Sequence, residues 1–154
     1  MKKYIGTKLV EAEPMTRGEF NKLKGWANLP GDDPEQPGYQ VRYADNYVSW
    51  SPKEVFESAY LQVDDNKDLP SGVSVGQKMV DEFVSSIETT TLGDRTTVAR
   101  CILRNGFEIV ESSSCVDPKN YSEKMGEEIC MGKIKDKIWN YLGFLLQTAW
   151  HGIK

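Results

Sequence analysis

The chain has 154 residues, 39% of them hydrophobic and 27% charged, and its 19 basic against 23 acidic side chains leave a net charge of −4. This is the size of one domain or two very small ones, and a mean hydropathy of −0.52, with no apolar run near the roughly 20 residues of a membrane helix, argues against a membrane partner. The acidic balance disfavours general nucleic-acid binding, and Met1-Lys2-Lys3 runs into a mixed segment with no apolar core, so no signal peptide is expected.

The first module is expected over residues 1–62. Tyr4 to Ala12 reads as a strand, with β-branched residues in rough alternation. Thr16-Arg17-Gly18-Glu19 is a capping box, followed by a short helix through Phe20 and Leu23 that stops at Gly25. Leu29 to Gly38 is a turn-rich loop. Gly38 to Tyr43 and Tyr47 to Trp50 are strands joined at Asp45-Asn46. Ser51-Pro52-Lys53-Glu54 reads as a second capping box, opening a helix with Val55, Phe56, Ala59 and Tyr60.

Residues 63–72 are polar and acidic, end in Pro-Ser-Gly, and read as a linker. The second module then covers residues 73–154. Val75, Met79, Phe83 and Ile87 fall four apart, one face of a helix. A Thr-rich connection spans Glu88 to Arg95. Thr96 to Leu103 and Phe107 to Ser112 are strands joined at Asn105-Gly106, the strongest short hairpin signal. Asp117-Pro118 opens a long helix reaching Trp150, with an apolar stripe that includes Ile134, Ile138, Leu142 and Leu145. Gly126, Gly132 and Gly143 weaken it and would let another helix approach closely. The expected fold class is α+β: two small modules, each an antiparallel hairpin or sheet packed on helices, with a long C-terminal helix.

The chemistry-bearing residues point to binding rather than catalysis. His151 is the single histidine, and Cys101, Cys115 and Cys130 are too widely spaced for a metal knuckle. Glu127 and Glu128 are adjacent and do not share a helix face, so no acid–base pair stands out. No catalytic set, metal site or cofactor is expected, and the chain reads as a non-enzyme. Trp26, Tyr39, Tyr43, Tyr47 and Trp50 lie within 25 positions. They read either as a small core or as a stacking wall for a base, with Lys8, Arg42 and Lys53 placed to meet phosphate. Ser51 and Thr16 put hydroxyls at helix N-termini, either as ordinary caps or as anion contacts. Thr90, Thr91 and Arg95, in a run of five threonines with a glycine, could hold a phosphodiester. Antiparallel pairing about Asn105-Gly106 brings Ser112-Ser113-Ser114 to the same end of the hairpin. The uncovered helix stripe predicts a homo-oligomer, with Ile138, Leu142, Leu145 and Trp150 at the interface.

The run Asn105-Gly106-Phe107-Glu108-Ile109-Val110, then Ser114-Cys115-Val116-Asp117-Pro118, then Ile138-Trp139 and Tyr141-Leu142-Gly143-Phe144, resembles a family of small tailed-phage proteins. That family is named after gp-forty-nine of phage N-four and gp-sixty-six of phage Sf-six, and the resemblance covers roughly Val80 to Gln147. The N-terminal residues Tyr4 to Lys8 and Tyr47 to Phe56 resemble a phage module that also occurs beside anti-Thoeris-like nucleotide sponges. The resemblance implies a phage accessory protein in the cytosol of the host bacterium. With the binding residues above, it leads to two expectations. One is sequestration of a nucleotide-derived immune signal, of cyclic nucleotide or ADP-ribose type, which would antagonise anti-phage defence. The alternative is a protein–protein inhibitor or adaptor acting on a host enzyme.

Overall fold

In a computed structural model, which describes residues 1–154, both halves of the first helix cap form. Glu19 N donates to Thr16 Oγ1 at 3.2 Å, and Thr16 N donates to Glu19 Oε2 at 2.8 Å. Helix α1 (Arg17–Lys24) therefore starts and stops where its signals place it. Before it runs β1 (Glu11–Pro14), shorter and later than the strand expected over residues 4–12. The cause is the partner. Strand β2 (Gly38–Arg42) pairs with β1 only from Pro14 opposite Tyr39 to Glu11 opposite Arg42, and the turn that follows leaves residues 4–10 no strand to pair with. Strand β3 (Val48–Pro52) lines the other side of β2, and helix α2 (Lys53–Ala59) follows at once.

Residues 63–72 are more than a connector. Strands β4 (Asp64–Asp65) and β5 (Val73–Ser74) pair across a turn in which Leu69 N donates to Asn66 O and Gly72 N to Leu69 O. Helix α3 (Gln77–Glu82) buries Met79 and Val80 and then stops, because β6 (Val84–Leu92) begins two residues on. The expected helix face ending at Ile87 is thus broken. Val84, Ile87 and the three threonines are β-branched, lose side-chain freedom in a helix and pack well on a sheet. The Thr-rich stretch is strand up to Leu92, and only residues 93–95 turn. Strands β7 (Thr96–Leu103) and β8 (Glu108–Ser114) form the hairpin signalled by Asn105-Gly106, giving an antiparallel sheet of order β6-β7-β8. Asp117 caps a 3-10 turn over Pro118–Asn120 rather than the long helix; Lys119 N donates to its Oδ1 at 2.9 Å. Helix α4 (Glu123–His151) begins after this turn.

The sheet is covered on one face. Along β7 the residues Thr97, Ala99, Cys101 and Leu103 are buried, and every fourth residue of α4 from Gly126 through Cys130, Ile134 and Ile138 to Leu142 is buried with them. Cys130 Sγ lies 3.6 Å from the Glu111 carbonyl, which places the helix over the strands. A Cβ on Gly126 would come within 2.6 Å of Thr97 Cβ, so glycine is what allows α4 to sit this close. Each buried isoleucine contributes on the order of 1.5–3 kcal/mol.

The fold is α+β, and the chain divides into two compact units. One comprises Met1–Gln62 with Thr148–Lys154, the other Val63–Gln147. No helix is long and apolar enough to cross a membrane.

Candidate functional site

The register of the first sheet decides what its aromatic residues face, because directly opposed residues in an antiparallel pair project to the same side. Tyr39 lies opposite Ser51 and Val41 opposite Ser49, whereas Gln40 lies opposite Trp50 and Arg42 opposite Val48. Tyr39, Val41 and Ser51 therefore project to one side, and Trp50 and Arg42 to the other. The expected single stacking wall is split by the strand between its members.

On the tyrosine side, α2 completes a stack. Tyr39 and Phe56 have centroids 4.4 Å apart, and Phe56 and Tyr60 are 4.7 Å apart. Tyr39 Oη donates to Glu57 Oε1 at 2.8 Å, which pushes its phenol pKa up, while burial and then Tyr43 raise that of Tyr60. Beyond this stack Tyr43 meets Tyr47 at 5.8 Å, and Lys8 Nζ stands 5.5 Å from the Tyr43 centroid. Lys8 and Tyr47 are thus brought together, and the Tyr47 ring is exposed.

On the other side Trp50 is engaged in holding the unit. Its Nε1 donates to the Met15 carbonyl at 2.8 Å, and the Arg17 guanidinium lies 5.0 Å over its ring. Gly38 packs so tightly that a Cβ there would come within 2.5 Å of Trp50 Cε2. Trp50→Ala is expected to lower the stability of this unit by about 1–2 kcal/mol, through the lost hydrogen bond and packing; thermal denaturation followed by near-UV circular dichroism checks this. Arg42 forms an ion pair with Glu11, and Gln40 Nε2 donates to Glu13 at 3.2 Å. Together with Ala12 these four residues line an open concavity of about 320 Å³ with two carboxylates to one guanidinium, the wrong balance for phosphate.

The N-terminus of α1 is already filled. Arg17 N donates to Gln36 O at 3.0 Å and Gly18 N to Pro34 O at 2.8 Å, so the proline-rich loop takes the amides of α1. The second capping box does not form. Ser51 is still paired within β3, Pro52 stands at the cap position with no side-chain bond, and Ser51 Oγ donates to the Pro52 carbonyl at 3.4 Å. Lys53 is exposed and its amide donates to Pro37 O at 3.1 Å. Trp26 stands apart, edge-on to Phe20 at 6.0 Å.

In the second unit the threonines divide by the same alternation. Thr89 and Thr91 project toward α4, where Thr89 Oγ1 bonds Glu127 and Thr91 Oγ1 bonds Glu123 at 2.5 Å and Tyr121 Oη at 2.7 Å. Tyr121 Oη also meets the buried Thr97 hydroxyl at 2.9 Å. This carboxylate–hydroxyl network anchors the start of α4 to the sheet and leaves Thr91 committed. Thr90 projects outward beside Val98 and Ser112. The two hydroxyl runs do share one end of the sheet, with Thr96 Oγ1 2.8 Å from Ser114 Oγ. Arg95 is engaged by Asp94 at 3.1 Å and by the Val116 carbonyl at 3.1 Å. Sequence reasoning missed Tyr121 and Glu123 and weighed Glu127 only as an acid–base partner of Glu128; their pairing across more than 20 residues has no local signal.

The interface residues also separate. Ile138 is 0% and Leu142 3% exposed, so neither has surface to offer a second copy. Leu145 keeps partial exposure, as does Trp150 in the first unit, where its ring stacks on His151 at 5.4 Å. Near Leu145, Phe144 is 75% exposed and Tyr141 43%, and Phe107 from the β7–β8 turn meets Tyr141 edge-on at 5.7 Å.

Residues 74–150, which carry this sheet and its helix, match the model of the phage protein (N4 Gp49/phage Sf6 gene 66) family. The chain belongs to this family. Membership makes it a bacteriophage protein, and the helix-on-sheet unit is the part of the chain that the family model spans. No curated protein and no solved structure matches it.

Proposed function

We propose that this phage protein is a non-enzymatic binder that acts on a host protein, as an inhibitor or adaptor in the cytosol of the infected bacterium. The observation that carries the reading is the aromatic patch of the second unit. Tyr141, Phe144 and Leu145 project from consecutive turns of α4 beside Phe107. Clustered exposed aromatics are what central hot spots of protein interfaces are made of. The engagement of Arg42 by Glu11 and of Arg95 by Asp94 also weighs toward a protein partner, since an anionic ligand would have to displace a carboxylate in each case.

One observation favours a second reading, sequestration of a nucleotide-derived immune signal. Lys8 stands over Tyr43 with Tyr47 exposed alongside, a stacking surface with an ammonium at its edge. A paired experiment separates the two. Under the first reading, Phe144→Asp weakens binding to the host protein captured from lysate, re-measured with both partners purified, by roughly 30-fold or more. Cyclic dinucleotides and cyclic ADP-ribose isomers then leave the melting temperature unchanged. A nucleotide-induced melting shift that Tyr47→Ala removes, with binding indifferent to Phe144, would replace the first reading with the second.

A further inference from the structure

Most sheet edges in this chain are guarded. Strand β1 carries Pro14 and two glutamates, and β3 ends in Pro52. Strand β8 has its Ser112 carbonyl met by Lys133 Nζ at 2.7 Å. Strand β6 is different. It is the longest strand, nine residues, with no proline, no lysine or arginine and one charge, Glu88. Its backbone pairs only with β7, and Ser85 to Glu88 and Thr90 to Leu92 are exposed. A bulge interrupts its register between Val84 and Ser86, and from Ser86 to Leu92 it is a regular, nearly uncharged edge, a template for another strand.

We propose that β6 pairs antiparallel with β6 of a second copy, joining two three-stranded sheets into one of six strands. Self-pairing closes by a two-fold axis, and the same edge is present on every copy. The side chains select the register. An axis through Glu88 would oppose two carboxylates. An axis through Thr89 sets Glu88 against the partner's Thr90, Ile87 against the partner's Thr91 and Ser86 against the partner's Leu92. No two carboxylates of β6 itself then oppose each other, and Ile87, partly exposed on the α4 side near this edge, gains a neighbour. Residues 86–92 would form roughly one inter-strand hydrogen bond per residue pair. Both α4 helices would lie on the same face of the joined sheet. The aromatic patch of each copy takes no part in the joint, so this inference stands apart from the proposed function.

The test uses the intact chain and a pair of opposite charges at Thr90, whose hydroxyl makes no bond within the chain. Light scattering after size exclusion, at about 50 μM, is expected to give twice the 17.4 kDa monomer mass. Thr90→Glu sets two new carboxylates against Glu88 of each opposing strand and is expected to raise the dimer Kd about tenfold or more. Thr90→Lys, opposite the same glutamates, is expected to leave the Kd unchanged or lower it. Amide exchange within residues 86–92 is expected to slow as concentration rises, while that of β8 does not. A monomer at 50 μM, a dimer in which both variants behave alike, or a dimer whose β6 amides exchange as in the monomer would each overturn the proposal.

Discussion

Ile138→Ala is expected to cost about 2–5 kcal/mol of folding stability, the range for emptying a fully buried aliphatic site. Ile138 is wholly inaccessible and lies between Ile134 and Leu142 in the buried row of α4, so the missing carbons leave a cavity that the stiff strand beneath cannot refill. Chemical denaturation read by far-UV circular dichroism measures the loss directly. Leu145→Ala, on the same helix but partly exposed, is expected to change stability by under about 1 kcal/mol. A result in which Ile138→Ala leaves stability intact and only lowers molecular mass would reinstate it as an interface residue.

The second large effect runs against helix propensity. Gly126→Ala ought to stabilise an exposed helix by about 1 kcal/mol. Here the added Cβ would lie 2.6 Å from Thr97 Cβ and closer still to its hydroxyl oxygen, in a site with no free space. Overpacking costs about 1–3 kcal/mol, and an overlap this severe belongs at or above the upper end. The same shift would break the Thr97–Tyr121 hydrogen bond. A net loss of about 2 kcal/mol or more is expected. Gly132 and Gly143 are the internal controls. A Cβ at either meets nothing within 4 Å, so Gly132→Ala and Gly143→Ala are expected to raise stability by up to about 1 kcal/mol. Denaturation midpoints of the three variants, compared side by side, test the argument by sign and not only by size.

What was legible in the chain is what short-range chemistry determines. The Thr16–Glu19 box, the stop at Gly25, the Asn105-Gly106 hairpin and the whole of β7 are local events. Each is decided by a few adjacent residues, and the α+β class follows from them. Local signals also misled: Asp117-Pro118 caps only a 3-10 turn, and the strand-like run from Tyr4 enters the sheet only at Glu11. The fourfold spacing through Ile87 looked helical because Met79 and Ile87 are both apolar, yet the β-branched run from Val84 outweighed it. Ser51-Pro52 had the letters of a cap, but Ser51 was already held in the sheet by Tyr39. The candidate site was legible as residue types and not as an arrangement. Whether Trp50 and Tyr39 look the same way depends on which residue of β3 meets which residue of β2, and a shift of one reverses every side chain. That Arg42 would be taken by Glu11, 31 positions earlier, depends on the same register. Those pairings belong to the folded sheet, and no window of sequence contains both halves.

The first unit draws its last piece from the far end of the chain. Residues 148–154 group with Met1–Gln62, and Leu9 N donates to the Ala149 carbonyl at 3.0 Å. A ribosome finishes residues 1–62 long before residue 149 exists. The strands β1 to β3 and their two helices have all their local partners early, but the segment around Leu9 must wait through the synthesis of the entire second unit. Cutting at Gln62 for recombinant expression would make that wait permanent, so the excised piece would carry a loose N-terminal arm that the intact chain ties down.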